Sequence, residues 1–518
     1  MYTKLTSFKT IGIDAVPVTV ECAKEPGAGI HLVGLADVAV KESLLRTTTA
    51  LKHLGYNLPG KKITINLAPV DLRKQGTAYD LPIAIALLAA AEQIPADDLD
   101  KYIFAGELGL DGTLRHIPGW VQAATLAATL GKKCILPTET AKLAARALHD
   151  ADHVFGVDNL QEVISILTQG DHDWTATDDL LADGEQTDSQ TTAIWNTIAG
   201  QEGAKRALEI AAAGGHGVLL VGPDGTDKSI LAKALAEILP PMNNEERMDM
   251  LRIYSAANKP INADRRPLRA PSYNCTLSTL LGGGNGADIL PGEVTLAHNG
   301  ILFLENLPLF PRNVRETLRA PLEDKQVTIC RLRSTIHYPA RFLPVFASNP
   351  CPCGHYGDGD TCHCAPEQRN AYLIHLNGPL LDHIDIQAWV NPTSRQAPLS
   401  NPEIQLDAVR ARVLKARNIQ KERYRNEGIS TNNELQIKLV ERYCHLDKTC
   451  TEIAERIMTR LSMRVNSWIH VLKVARTIAD LEGSEQINQT HLVEAITYRF
   501  LDRKDSLIFN TPDSADRT

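Results

Sequence analysis

Long apolar runs are missing from this chain. The longest, Leu81–Ala91, falls well short of the roughly 20 residues that a membrane-spanning helix needs, so no membrane partner is expected. The opening residues, MYTKLTSFKT, hold no apolar core of the kind a secretory signal carries. An excess of positive charge is missing too: 54 Lys and Arg stand against 62 Asp and Glu, for a net charge of −8. No global field therefore calls for nucleic acid, and a DNA-binding surface has to be local. Ten cysteines in 518 residues are too sparse for a disulfide scaffold, which points to a reducing, cytoplasmic setting. No internal repeat is evident. The remainder is an ordinary globular composition, 43% hydrophobic and 22% charged, long enough for three or four domains at about 150 residues each.

What the chain does have is a phosphate-loop pattern. Val218–Val221 is a short apolar run, as in a strand buried on both faces of a parallel sheet. Gly222, Pro223, Asp224, Gly225, Thr226, Asp227, Lys228 and Ser229 follow, and Ile230 onward has helical spacing. Strand, Gly-rich loop, Lys-Ser and helix is the order in which backbone N–H groups cradle phosphates, the Lys reaches the outer ones and the hydroxyl holds Mg²⁺. The alternative is a plain Gly-rich turn. One residue breaks the pattern GxxxxGK[ST]: Asp227 stands where Gly belongs. A carboxylate about 5 Å from one phosphate charge costs on the order of 3 kcal/mol at an effective dielectric of about 20, over a hundredfold in affinity.

Upstream, residues 1–168 alternate strands and helices. Ile63, Ile65 and Leu67 alternate with Thr64 and Asn66, a half-buried strand. Asp80 is expected to cap a buried helix that starts Leu81-Pro82, and Gly106–Gly112 reads as a hairpin turn. Residues 169–193 are rich in acids, Thr and Gln and lack any basic residue, so they read as a solvated tether. Downstream, Gly300–Leu304 followed by Glu305 and Asn306 has the form of a strand that delivers one carboxylate to Mg²⁺ and a second group to the attacking water; the alternative is a plain core strand. Asn306 can orient water but cannot take its proton. Pro344 marks the start of a further strand ending at Asn349. Cys351, Cys353, Cys362 and Cys364 then form two C-x-C pairs in one loop, enough thiols for a tetrahedral, structural Zn²⁺, with free thiols as the alternative. From Pro402 the chain reads helical, and the basic run from Arg410 to Arg425 is either a solvated face or a local nucleic-acid stripe.

Stretches along nearly the whole chain, about residues 5 to 500, resemble the YifB/ComM family of magnesium-chelatase-like AAA+ proteins. They include GLADVAVKES (Gly34–Ser43), GTAYDLPIAIALL (Gly76–Leu88), GELGLDGTLRHIPG (Gly106–Gly119), the Gly200-Gln201 segment, the phosphate loop, and GPLLDHID (Gly378–Asp385). The resemblance implies an α/β protein in three parts. The first, 1–168, is similar to the Lon proteolytic domain (the ribosomal S5 domain 2-like α+β fold). The second, 194–390, is a P-loop AAA+ parallel-sheet core with an insert hairpin over Leu280–Asn299, and the third, 391–505, a helical lid; a tail over 506–518 is expected to be disordered. In the first part the Lon-like Ser and Lys positions fall at Ala78 and near Val121, which can act neither as nucleophile nor as base. Thr77 is a nearby hydroxyl with no evident base.

For the core the resemblance puts Gly200 and Gln201 beside adenine, Asn349 at the sensor that contacts the γ-phosphate or water, and Arg464 at the second sensor on the lid. The family's RAPHH appears here as Arg269–Tyr273 without its His pair, and the finger Arg of GPLLDRID is His383. A mostly neutral imidazole cannot replace a guanidinium's charge and fork of donors. The implied cofactors are ATP and Mg²⁺, the implied assembly a hexameric homo-oligomeric or mixed ring, and the implied partner DNA. Three departures, Asp227, Asn306 and His383, strike cradle, base and finger separately, and favour a nucleotide-binding protein with impaired or absent hydrolysis over a branch-migration motor on DNA. A metal-chelatase motor is the third reading, resting on shared ATPase ancestry.

Overall fold

The computed structural model describes residues 2–502 apart from 59, 75, 149–152, 170–192, 263, 285–288, 332–333, 359–360, 375–379, 393–401 and 462. The tether, the tail, Gly378, Pro379 and the tip of the insert lie outside the described residues.

Alternation builds the first sheet. β1 (Tyr2–Ile11) pairs antiparallel with β2 (Asp14–Glu25), beside which run β3 (Ile30–Val33) and β4 (Lys62–Ala68). Within β4, Ile63, Ile65 and Leu67 are fully buried and the residues between them half-buried, the one-in-two pattern of a strand with one face on a core. β5 (Tyr102–Phe104) precedes a small antiparallel hairpin, β6 (Glu107–Leu108) and β7 (Leu114–Arg115), whose turn closes where the Gly109 N–H donates to Thr113 O at 2.7 Å. β8 (Lys133–Pro137) and β9 (Val154–Val157) complete seven strands in the order β3-β4-β2-β1-β5-β8-β9. The helix Asp80–Ala90 is buried along all 11 residues. Asp80 does not cap it: the N-cap is Tyr79. The Asp80 carboxylate is instead buried inside the first turn, held by the Arg46 guanidinium at 2.8 and 3.1 Å and by the Leu108 N–H at 3.1 Å. A wholly buried acid requires such partners.

The second sheet is parallel throughout. Its strands are β10 (Val218–Val221), β11 (Leu268–Arg269), β14 (Ile301–Leu304), β17 (Leu343–Ser348) and β18 (Ile386–Trp389), in the order β11-β14-β17-β10-β18. β10 shows why its run is uninterruptedly apolar. Val218 and Leu220 face the core shared with the C-terminal helices, while Leu219 and Val221 face a second core on the other side. Each of these fully buried side chains contributes roughly 1.5–3 kcal/mol. Pro344 is the second residue of β17, near the strand start as its sequence predicts, although the strand is interior to the sheet. Two antiparallel pairs flank this sheet: β12 (Gly282–Gly283) with β13 (Leu290–Pro291), the insert hairpin, and β15 (Gln326–Arg331) with β16 (Ser334–Pro339). The end of the insert is helical, over Glu293–Leu296.

The lead-in to β10 is two helices. Ile194–Thr197 and Glu202–Gly214 are separated by Gly200 and Gln201, both at positive φ (63° and 57°). Most of the basic run lies on the helix Pro402–Arg423, and four of its arginines reach groups on neighbouring elements. Arg410 donates to Glu237 O at 2.7 Å, Arg412 to the Glu209 carboxylate at 2.5 Å, Arg417 to Ala212 O at 2.9 Å, and Arg423 to the Asp480 carboxylate at 2.5 and 2.9 Å. These arginines fasten the helix to its neighbours, while Arg410 and Arg412 stay about half exposed and Lys415, Lys421 and Arg425 are exposed. The helix Asn244–Ala256 docks on Trp120–Leu130, where Gln122 Nε2 donates to Arg252 O at 2.7 Å and to Ile13 O at 3.2 Å. Among the described residues no helix is long and apolar enough to cross a membrane.

Candidate functional site

The loop Gly222–Asp227 leaves the carboxyl end of β10 and enters the helix Lys228–Ile238, so helix N–H groups and the positive end of the helix dipole point back at the loop. Two glycines are needed there. A Cβ on Gly222 would collide with the Val390 carbonyl, and Gly225 has φ +74° with open space around it. Lys228 is buried, and its Nζ donates to Gly222 O at 2.9 Å, to Pro223 O at 2.6 Å and to Thr226 Oγ1 at 3.1 Å. Burial pushes this ammonium below its ordinary value, against the pull of Asp224 and Glu305. Asp227 is the N-cap residue, yet its side chain makes no capping hydrogen bond. Asp227 stands at the helix end that an anion would occupy.

Ser229 Oγ donates to Glu305 Oε1, which brings together a hydroxyl and a carboxylate from two elements separated widely in sequence. Asn306, next along, has φ +55° and starts the short turn Leu307–Leu309. Asn349 directly follows β17 beside the loop, and among the described residues its buried Oδ1 has no hydrogen-bond partner. An orphaned acceptor at such a place fits a ligand or an ordered water. Gln201 Nε2 donates to Asn391 O at 2.7 Å, which ties Gly200-Gln201 to the segment after β18. His383 lies in the turn Leu381–His383, with Nε2 3.7 Å from the Glu323 carboxylate; burial holds its imidazole below the ordinary histidine value, despite that neighbour. Arg464 is exposed as the N-cap residue of Val465–Glu482. Among the described residues no hydrogen bond or ion pair joins it to the loop.

The residues that fit a magnesium-bound nucleotide are thus the loop amides of Gly222–Ser229, Lys228, the pair Ser229–Glu305, and Asn349. Asp227, Asn306 and His383 are the three departures from the expected pattern. None of the three supplies the group that its place in the motif asks for.

The four thiols converge. The Sγ atoms of Cys351, Cys353, Cys362 and Cys364 all lie within 4.8 Å of one another. Cys351 Sγ stands 3.3 Å from that of Cys353 and 3.7 Å from that of Cys362. A set of four thiols at this spacing suits one tetrahedral Zn²⁺ with no open position, hence a structural ion. Burial raises the Cys351 thiol to about 12, while the His355 N–H beside Cys353 lowers that thiol to about 6.

Three features escape a reading of the sequence. Thr77, which has no evident base along the chain, donates to Glu107 Oε2 at 2.6 Å. The Gly354 carbonyl of the thiol loop accepts the Asp224 N–H at 2.8 Å. At the amino end of β10, His216 is wholly buried. Its Nδ1 meets Asp385 Oδ2 at 2.8 Å, its Nε2 meets Thr477 Oγ1 at 2.7 Å, and the other Asp385 oxygen meets His470 Nδ1. The His in GGHG, directly before the strand, is the only local cue to that network.

Three family descriptions match the chain: "Magnesium chelatase, subunit ChlI" over residues 195–397, "Subunit ChlI of Mg-chelatase" over 18–140, and "Magnesium chelatase, subunit ChlI C-terminal" over 405–499. The chain is 42% identical to YifB of Salmonella typhimurium over 506 residues, covering 95% of this chain and 96% of that protein. It is 40% identical to YifB of Escherichia coli over 503 residues, with the same coverage. Against the competence protein ComM of Haemophilus influenzae it is 38% identical over 501 residues, again 95% and 96% of the two chains.

Proposed function

Because the chain belongs to the magnesium-chelatase-like AAA+ family of YifB and ComM, we propose that it is a ring-forming nucleotide-binding protein whose ATP hydrolysis is impaired or absent. The observation that carries this reading is the contrast between adjacent residues. Glu305 is already joined to Ser229, as a Mg²⁺ site requires, whereas Asn306 offers an amide where a proton acceptor belongs. Bound Mg·ATP would supply a phosphoryl group activated for attack by water. Gly222–Ser229 and Lys228 would hold its phosphates, Ser229 and Glu305 its metal ion, and the Asn349 carbonyl the ligand or water that completes its bonding. Gly200 and Gln201 would flank the adenine and Arg464 would approach from a lid formed by the C-terminal helices. With Asn306 no side chain at that place takes the water's proton, a loss of ~10²–10⁴ in rate. His383, kept neutral by burial, brings no cation to a neighbouring subunit's site, where an arginine is worth ~10³–10⁵.

The first sheet has, in this reading, a Lon-protease-like fold without its catalytic pair. Ala78 and Val121 hold the two positions, and the Thr77–Glu107 contact lacks the lysine. The four thiols hold a structural zinc ion. The protein works in the cytoplasm as a hexameric or mixed ring. The second reading, an active motor that remodels DNA, is supported by the 38% identity to a relative named for competence, and it predicts turnover stimulated by branched DNA.

The test measures ATP binding and turnover of the native chain, with and without branched DNA, beside the variant D227G/N306E/H383R. We expect turnover in the native chain at least ~10³-fold below the triple variant. Native turnover at rates typical of motors, or no gain in the variant, overturns the proposal.

A further inference from the structure

The thiol loop is not a free appendage. It begins two residues after Asn349 and returns against the phosphate loop at several points. Gly354 O accepts the Asp224 N–H at 2.8 Å. Gly354 itself has φ +81°, and a Cβ there would stand 3.1 Å from Asp224 Cβ and 3.3 Å from Asn349 Nδ2. A Cβ on Gly357 would lie 2.9 Å from the Trp389 ring and 3.7 Å from Pro223 Cγ. The loop therefore touches Pro223 and Asp224 of the cradle and the sensor asparagine at once, through glycines with no room for a larger residue.

Between Cys353 and Cys362 the described residues form turns and no strand, and the Tyr356 ring carries Arg369 over its face at 4.3 Å. Joining Cys351 and Cys353 to Cys362 and Cys364 closes the segment into a short ring, which removes most of its freedom. Gly354, whose carbonyl accepts the Asp224 N–H, is the residue immediately after Cys353. Whatever fixes Cys353 fixes Gly354.

We propose that the metal at these four thiols sets the conformation of the phosphate loop: a bound zinc ion holds Gly354 against Asp224, and loss of the ion releases the cradle. This rests on the reading of the four thiols as a zinc site. The zinc acts as a positioning ion, with no part in bond-making, and its effect is on the readiness of Gly222–Ser229 to receive phosphate.

The experiment uses the full chain and needs no nucleotide to bind. Zinc content is measured by elemental analysis, and backbone amide exchange is followed by mass spectrometry over peptides covering 218–229. Samples are the native protein, the native protein stripped by a chelator, the stripped protein given zinc again, C353S and G354A. In the stripped protein and in C353S, whose altered residue is exposed, zinc should fall well below one per chain. Exchange over 222–229 should rise about fivefold, the opening expected when one hydrogen bond's net contribution is lost. Adding zinc should reverse the change in the stripped native protein. G354A should keep its zinc and still show the rise, since its thiols are intact and its latch is not.

Zinc loss without any change over 222–229 overturns the coupling and leaves the zinc site standing. A native protein that neither contains nor binds zinc overturns the zinc site itself. A rise that spreads equally to peptides of the first sheet also overturns the coupling, because the metal would then be holding the chain in general.

Discussion

The two ends of one strand obey different rules. At the amino end of β10, His216, Asp385, Thr477, Asn432 and Asp480 are buried, and each is answered. Asn432 Nδ2 donates to Thr477 Oγ1 and to Asp480 Oδ2 at 2.9 Å each, its Oδ1 accepts from Tyr424, and Asp480 receives Arg423 and Arg476. At the carboxyl end, four residues further on, Asn349 Oδ1 has no hydrogen-bond partner among the described residues, and an amide follows Glu305. The difference teaches where each kind of free energy sits. In the dry end an unanswered polar atom costs about 1–3 kcal/mol of folding free energy, and so the network must close on itself. In the wet end, polar groups are answered by water or ligand, and a changed side chain costs rate or affinity with little loss of stability.

The strongest way to break the comparison is to restore the wet end. N306E and H383R together should raise turnover by at least ~10³, given that a finger arginine alone is worth ~10³–10⁵, with an unfolding midpoint close to the native one. A steady-state ATPase assay beside a thermal melt reads both. A large loss of stability with no gain in rate would show that the site residues carry the fold after all.

Next comes the dry end. D385A leaves His216 and His470 without their shared acceptor, and should cost about 3–5 kcal/mol of stability, by analogy with breaking a buried charged pair. Denaturant unfolding of the C-terminal helices measures it; a change under about 1 kcal/mol would mean that the network is ornamental.

Protonation offers a graded version. Burial, opposed by Asp385 and helped by Lys473 and Arg417, holds His216 below the ordinary histidine value of 6.5. The unfolded chain therefore takes up this proton at a higher pH than the folded one. The stability that goes with neutral His216 is complete above about 6.5 and is lost as pH falls below it, by up to about 1.4 kcal/mol per pH unit. Asp385 is held well below its usual 3.8 by the two imidazoles despite its burial, so its share is lost only under more acid conditions, below about 3.8. Melting temperature between pH 7.5 and 5 should decline in the native protein and less so in H216Q. Equal slopes would assign the effect elsewhere.

The smallest effect sharpens the contrast most. D227G should alter stability by only a few tenths of a kcal/mol while tightening nucleotide binding by about a hundredfold, the scale of removing one carboxylate next to phosphate. Equilibrium binding of a fluorescent ATP analogue, read beside a denaturant melt, separates the two.

Legibility followed the same divide. The phosphate loop, the Glu305 strand and the thiol quartet are local patterns, and their residues are found side by side in the fold because spacing along the chain fixes them. Asp80 was misread because a polar residue before Leu81-Pro82 looks like a cap from the sequence, and only the packing of Arg46 against it reveals a buried acid. Charge pattern alone does not say what lies opposite the arginines of 410–423; their partners sit between 57 and 205 residues away. His216 and Asp385 are 169 residues apart, and His216 and Thr477 261. Contacts of that span leave no period to read.

The seat of the helix Asn244–Ala256 on Trp120–Leu130 has a mechanical consequence. That helix follows within a few residues on the one that springs from the phosphate loop, and its own end is bolted down: Ser255 O accepts the Gly119 N–H at 3.1 Å, and Ser255 Oγ accepts the Val121 N–H at 3.2 Å. A stiff rod fastened at this end and led by a short connection from the cradle helix passes on a tilt. Any rearrangement that swings the cradle helix would be delivered to the seven-stranded sheet as a displacement at the start of Trp120–Leu130, so the front part of the molecule is geared to the loop by contact, whatever the tether between them does.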